Sequence, residues 1–147
     1  MNKDNFIQWC NRFMSNDTRD LKFDKICDEI FALSHAVRSA IVIDKMGRLV
    51  AGGMRKGITS MEEKDDTQKL YVQFALRSVM REDFDEQFGK TVYSFSERER
   101  IKLASFPLDD QYIVRVSIEK EETRHNAIID DILKIISNSK ANAHKNS

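Results

Sequence analysis

The stretch Ala40-Ile41-Val42-Ile43 is apolar on both of its alternating faces, and it is followed by Asp44-Lys45-Met46-Gly47-Arg48 and a second apolar run, Leu49-Val50-Ala51. A short segment with no polar face escapes water only if both sides are covered, which predicts a strand inside a sheet. Gly47 supplies the positive φ that a tight turn between strands demands. The expectation is a strand over Ser39–Asp44, a turn at Lys45–Arg48, and a short edge strand from Leu49 to Met54 weakened by Gly52-Gly53. A hairpin of this kind commits the chain to a layered domain in which helices cover the sheet.

Helical spacing supplies those helices. Phe6, Trp9, Cys10 and Phe13 form one stripe on an N-terminal helix, Asp4–Met14, and Ser15-Asn16-Asp17-Thr18 ends it. Phe23, Ile26, Cys27, Ile30, Phe31 and Ser34 define a second helix over Leu21–Ala36. The acidic run Glu62, Glu63, Asp65 and Asp66 suits a helix start, where the backbone dipole favours negative charge. The central helix that follows, Asp65–Phe88, has two apolar sides. Tyr71, Val72, Ala75, Leu76 and Val79 form one, and Leu70, Phe74, Phe84 and Phe88 the other, interrupted by Arg77 and Arg81. A helix apolar on two sides is normally buried on both, so one side is expected to meet the sheet and the other a partner.

Beyond the helix stop Gly89, three strands are predicted, over Lys90–Phe95, Arg100–Phe106 and Gln111–Ile118, joined by turns at Ser96–Glu99 and Pro107–Asp110. Tyr112, Val114, Val116 and Ile118 show the cleanest alternation. A last helix, Thr123–Ser137, carries Ile128, Ile129, Ile132, Leu133 and Ile136, and the polar tail beyond it is expected to fray. The fold class is α/β of the α+β kind: a five-stranded antiparallel-rich sheet with helices on both faces, in the order α-β-β-α-β-β-β-α after an extra N-terminal helix. Residues 1–18 form the extension, 19–137 the domain and 138–147 the tail.

Lysine plus arginine equals aspartate plus glutamate at 24 each, whereas nucleic-acid binders usually carry a basic excess. No apolar run approaches the roughly 18 residues needed to span a bilayer, and the N-terminus lacks the apolar core of a secretory signal. A cytoplasmic protein with Cys10 and Cys27 as buried free thiols is expected.

No residue set reads as an active site. Gly52, Gly57 and Thr59 fall at the spacing of a phosphate-binding loop, but Ile58 stands where the phosphate-reaching lysine must be. His35, His125 and His144 are scattered, so no metal site is expected. Asp109-Asp110 suits a turn, and Arg98, Arg100 and Lys102 a mixed solvated surface. No enzyme activity and no cofactor are expected. The expected interaction surface comprises Leu70, Phe74, Arg77, Arg81, Tyr93 and Phe95, with Phe6, Trp9 and Phe13 of the extension.

The element order, together with the hairpin pattern of apolar strand, Asp44, turn Gly47 and apolar strand, resembles roadblock domains of the dynein light-chain type, relatives of longin. Val42–Gly53, Met80–Asp85 and Leu103–Asp110 are similar to an uncharacterised family found in ammonia-oxidising archaea. The resemblance covers about Lys22 to Ile136. It implies a homodimer formed through the central helix and the third strand, and scaffolding or regulation of a small GTPase. The alternative expectation is a small-molecule sensor with its ligand between helix and sheet, in a cavity lined by Phe74, Tyr93 or Phe95.

Overall fold

The computed structural model describes residues 21–145, with side chains described through residue 142. Helix α1 spans 21–31 and leads into β1 (Val37–Asp44) and β2 (Leu49–Met54). Helix α2 (Thr67–Arg81) follows a 3₁₀ turn at Lys64–Asp66. After a second 3₁₀ turn and the short α3 (Asp85–Phe88) come β3 (Ser94–Glu97), β4 (Ile101–Pro107), β5 (Tyr112–Glu119) and α4 (His125–Lys145). The five strands form one sheet in the order β2-β1-β5-β4-β3, with every neighbouring pair antiparallel. The chain is therefore the α+β sheet domain expected from its sequence.

β1 is buried on both faces, as its unbroken apolar run requires. On one face, Ala40, Val42, Val114, Val116, Ile118, Ala104 and Phe106 meet α1 and α4 through Phe23, Ile26, Cys27, Ile30, Ile128, Ile129 and Ile132. On the other, a small cluster of Ile41, Ile43, Ala75 and Ile113 lies under α2, flanked by Tyr71 and Phe74. The hairpin turn closes as its residues dictate. Asp44 Oδ1 accepts the N–H of Met46 and of Arg48 at 2.8 and 3.0 Å, and Gly47 takes φ 84°. Asp109 does the same at the β4–β5 turn, accepting from the N–H groups of Gln111 and Tyr112.

Several boundaries differ from expectation. α1 stops at residue 31 instead of Ala36, where Arg55 takes up the carbonyl of its last residue and two carbonyls just beyond it. The Arg55 Nη2 donates to the carbonyls of Phe31 and Ser34 at 2.8 and 2.7 Å, and its Nε to that of Val37 at 2.7 Å.

The central helix is broken near Glu82. The run Glu82, Asp83, Asp85 and Glu86 puts negative charge at the helix C-terminus, the end its dipole disfavours.

β3 begins at Ser94 instead of Lys90 and continues through Glu97, held in the ladder by the cross-strand pair Glu97 and Lys102. The last helix runs on to Lys145, since Asn138–Lys145 holds no proline or glycine and includes two alanines. No helix among the described residues is long and apolar enough to cross a membrane.

Candidate functional site

α2 lies over β1 and β5, against Ile41, Ile43 and Ile113. Its sheet-facing residues are Tyr71, Phe74, Ala75 and Ser78, at i, i+3, i+4 and i+7, and Ala75 is the one fully buried residue of the helix. This stripe matches neither expected side as a whole but takes Tyr71 and Ala75 from one and Phe74 from the other. Phe74 turns inward, while Val72, Leu76 and Val79 stay exposed with Met80. The helix is thus buried along one stripe that draws on both apolar sides, and the rest of each side stays in water. Phe84 and Phe88, beyond the break, stack on each other at 5.8 Å between ring centroids and are also exposed.

Because α2 stops short of the outer strands, a groove of about 960 Å³ opens between it and β3–β4. Leu70, Phe74, Arg77 and Arg81 form the helix wall, Ile101, Leu103, Ser105 and Arg115 lie along the strands, and Ser94, Phe95 and Ser96 close the far side. Of the expected interaction residues, Leu70, Phe74, Arg77, Arg81 and Phe95 are brought to this one feature.

The Phe95 ring, however, lies on the opposite sheet face, stacked on His125 at 4.8 Å. Tyr93 stacks on Phe106 on that face as well, at 6.1 Å. The sheet thus separates both rings from that of Phe74, and of the expected cavity residues Phe74 and Phe95 line the groove while Tyr93 does not. Phe6, Trp9, Phe13 and Cys10 lie outside the described residues.

Arg115 was not anticipated. Its signal was present as an arginine between Val114 and Val116 in the most regular strand of the sequence. The residue is 6% exposed, and its guanidinium carbon sits 4.4 Å from the centre of the Phe74 ring and 6.0 Å from that of Tyr71. Burial pulls the Arg115 pKa below its ordinary value, while the charges of Tyr71 and Glu62 oppose that shift. Burial likewise pushes the Tyr71 phenol up, against the Arg115 charge, which lowers it.

Lys102 also departs from expectation. It is buried on the α4 face, and its Nζ donates to the Glu122 carbonyl and lies 3.1 Å from His125 Nδ1. Ile101 and Leu103, on the other face of the same strand, are half-buried groove residues.

Elsewhere the candidate chemistry resolves into structure. The glycine-containing loop after β2 is anchored by Arg38, whose Nη2 donates to the Thr59 carbonyl at 3.0 Å and whose Nη1 pairs with Glu119 at 2.9 Å. Cys27 is a free, buried thiol. Among the described residues, no group of three or more His, Cys, Asp or Glu side chains is placed to hold a metal ion.

Comparison with solved structures finds the same fold at low identity. A Roadblock/LC7 domain from Streptomyces avermitilis aligns with a TM-score of 0.61 at 9% identity, covering 82% of this chain and 97% of that one. MglB of Myxococcus xanthus aligns with a TM-score of 0.64 at 15% identity, covering 86% and 90%. The gliding protein MglB of Thermus thermophilus gives 0.63 at 11%, covering 80% and 87%. These likenesses establish a roadblock-type fold. Comparison with curated proteins returned no match. A family model described as a family of unknown function, DUF6659, matches residues 17–139, and the chain belongs to that family.

Proposed function

We propose that this chain is a non-enzymatic interaction module that acts in the cytoplasm as a homodimer and, by analogy of fold, regulates a small GTPase. One observation carries the interaction reading. The outward stripe Val72, Leu76, Val79 and Met80 of α2 is exposed, and residues at this spacing form a single surface. Met46 and Leu49, in the hairpin that abuts the α2 backbone at Val72, are exposed as well. Apolar side chains gathered in this way mark a surface that another protein covers. The homodimer is supported by β3, a sheet edge whose outer backbone groups have no strand partner among the described residues.

Analytical ultracentrifugation of the full chain at micromolar concentration tests the assembly. A dimer is expected, weakened by Ser96→Pro in β3, and a strict monomer removes this part of the proposal. Leu76→Glu should abolish capture of a GTPase while leaving the fold intact, and unchanged capture would exclude the stripe.

A second reading, a small-molecule sensor, is favoured by the groove between α2 and the outer strands, which lies between helix and sheet.

A further inference from the structure

The groove contains a cation without a counterion. Among the described residues, the Arg115 guanidinium donates to no carboxylate or carbonyl, and its buried Nε has no hydrogen-bond acceptor. Its contacts are with ring faces, Phe74 and Tyr71. Rings satisfy the flat faces of a guanidinium and leave the in-plane Nε–H of Arg115 without an acceptor. An arginine does not shed its proton to escape burial, so a bound anion would add a compensating charge in contact with it.

None of the three glutamates lining the groove makes an ion pair or hydrogen bond with Arg115, and Glu62 acts on it only through space. Glu97 is held by Lys120 at 3.2 Å and Lys102 at 3.6 Å. Glu62 lies against the Thr67 hydroxyl at 3.5 Å and makes no ion pair with Arg115. The groove as a whole is lined by five arginines (Arg77, Arg81, Arg98, Arg100 and Arg115) against three glutamates, although the chain is neutral. The groove-facing side of α2 from a second copy would bring Arg77 and Arg81, which carry the same sign.

We propose that this groove binds an organic carboxylate, with its carboxyl group paired to Arg115 and its apolar body against Leu70, Phe74 and Leu103. A planar carboxylate matches the fork of N–H donors in the guanidinium plane and brings the single negative charge that one buried arginine needs. Phosphate is more strongly hydrated and would be seated against apolar walls at greater cost. The same carboxylate chemistry can come from a free organic acid or from a glutamate on a polypeptide. The inference rests on the ligand-binding reading and is independent of the dimer.

The test follows the Arg115 Nε–H resonance of the full chain by NMR during titration with 4-phenylbutyrate, with the neutral 4-phenylbutyramide, and with inorganic phosphate. A saturable shift is expected with the carboxylate, none with the amide, and about tenfold weaker binding with phosphate. Arg115→Met should weaken phenylbutyrate binding about tenfold or more, and Glu62→Gln should strengthen it. Equal responses to acid and amide, or to acid and phosphate, overturn the proposal. Shifts elsewhere that leave Arg115 unperturbed overturn the Arg115 assignment alone, and no shifts anywhere remove the ligand-binding reading with it. A blocked tripeptide with glutamate between two leucines separates the sources: tighter binding than the free acid assigns the carboxylate to a polypeptide, and weaker binding to a small molecule.

Discussion

The guanidinium carbon of Arg115 lies 4.4 Å from the centre of the Phe74 ring, which joins the middle of the sheet to α2 by a cation resting on an aromatic face. This contact sits where the helix is otherwise thinly attached, beside the single buried residue Ala75. It tilts the burial pattern of α2 toward Phe74 and leaves the Val72–Leu76 side in water.

The Arg115 contact is predicted to cost the fold more than it contributes. A cation–π contact contributes about 0.5–2 kcal/mol, whereas burying a charge without hydrogen bonds costs several kcal/mol even after relaxation. Arg115→Met should therefore raise the unfolding free energy by about 1–3 kcal/mol, read as a higher urea midpoint at unchanged slope. A lower midpoint would mean that Arg115 is satisfied in a way the structure does not show.

Adjacent glycines in β2 should respond in opposite ways. Gly52 has φ +83°, and a Cβ there would lie 2.0 Å from the Ala40 carbonyl oxygen and 2.9 Å from Cys27 Sγ. Gly53 has nothing within 4 Å of the same position. Gly52→Ala should unfold the hairpin region or lower stability by roughly 3 kcal/mol or more, while Gly53→Ala stays within about 1 kcal/mol of the parent. Paired thermal melts distinguish the two, and equal effects would refute the register of β2 on β1.

Arg55 should be irreplaceable by lysine. It serves three carbonyls from two of its nitrogens, at Phe31, Ser34 and Val37, a forked geometry that an ammonium does not reproduce. Arg55→Lys should cost about 1–3 kcal/mol by leaving partly buried carbonyls unpaired. Hydrogen exchange should localise the loss to the end of α1, and a uniform loss of protection would argue against a capping role.

Cys27 should be inert while the protein is folded. Its thiol is pushed from an ordinary value of 9.0 up to about 12, first by burial and then by the charges of Asp24 and Asp28. In a Cys10→Ser background at pH 8, iodoacetamide should label Cys27 only after denaturation. Between pH 9.0 and about 12 the folded thiol keeps a proton that the unfolded chain has released. This group's stabilisation is therefore complete below pH 9.0 and declines as the pH rises through that window. Rapid labelling of the native protein at pH 8 would contradict the burial of Sγ.

What the sequence determined by itself was the sheet and its main core. The two-sided run Ala40–Ile43, the turn residues Asp44 and Gly47, the Tyr112–Ile118 alternation and the isoleucine stripe of α4 each specify a local conformation and a buried face at short range. Their agreement made the fold legible.

Only the tertiary structure decided where α1 ended and which way α2 faced. The limit of α1 depends on Arg55, more than twenty residues later in the chain. The orientation of α2 depends on the match of Phe74 to Arg115 on the sheet face beneath it, because its apolar pattern permitted more than one rotation. The groove was invisible for the same reason. It is the space left where a helix covers half a sheet, and that shortfall is set by packing between elements far apart in the chain. Arg115 interrupts an apolar strand in the sequence, and only that packing places it, buried and with no acceptor for its Nε, in the groove.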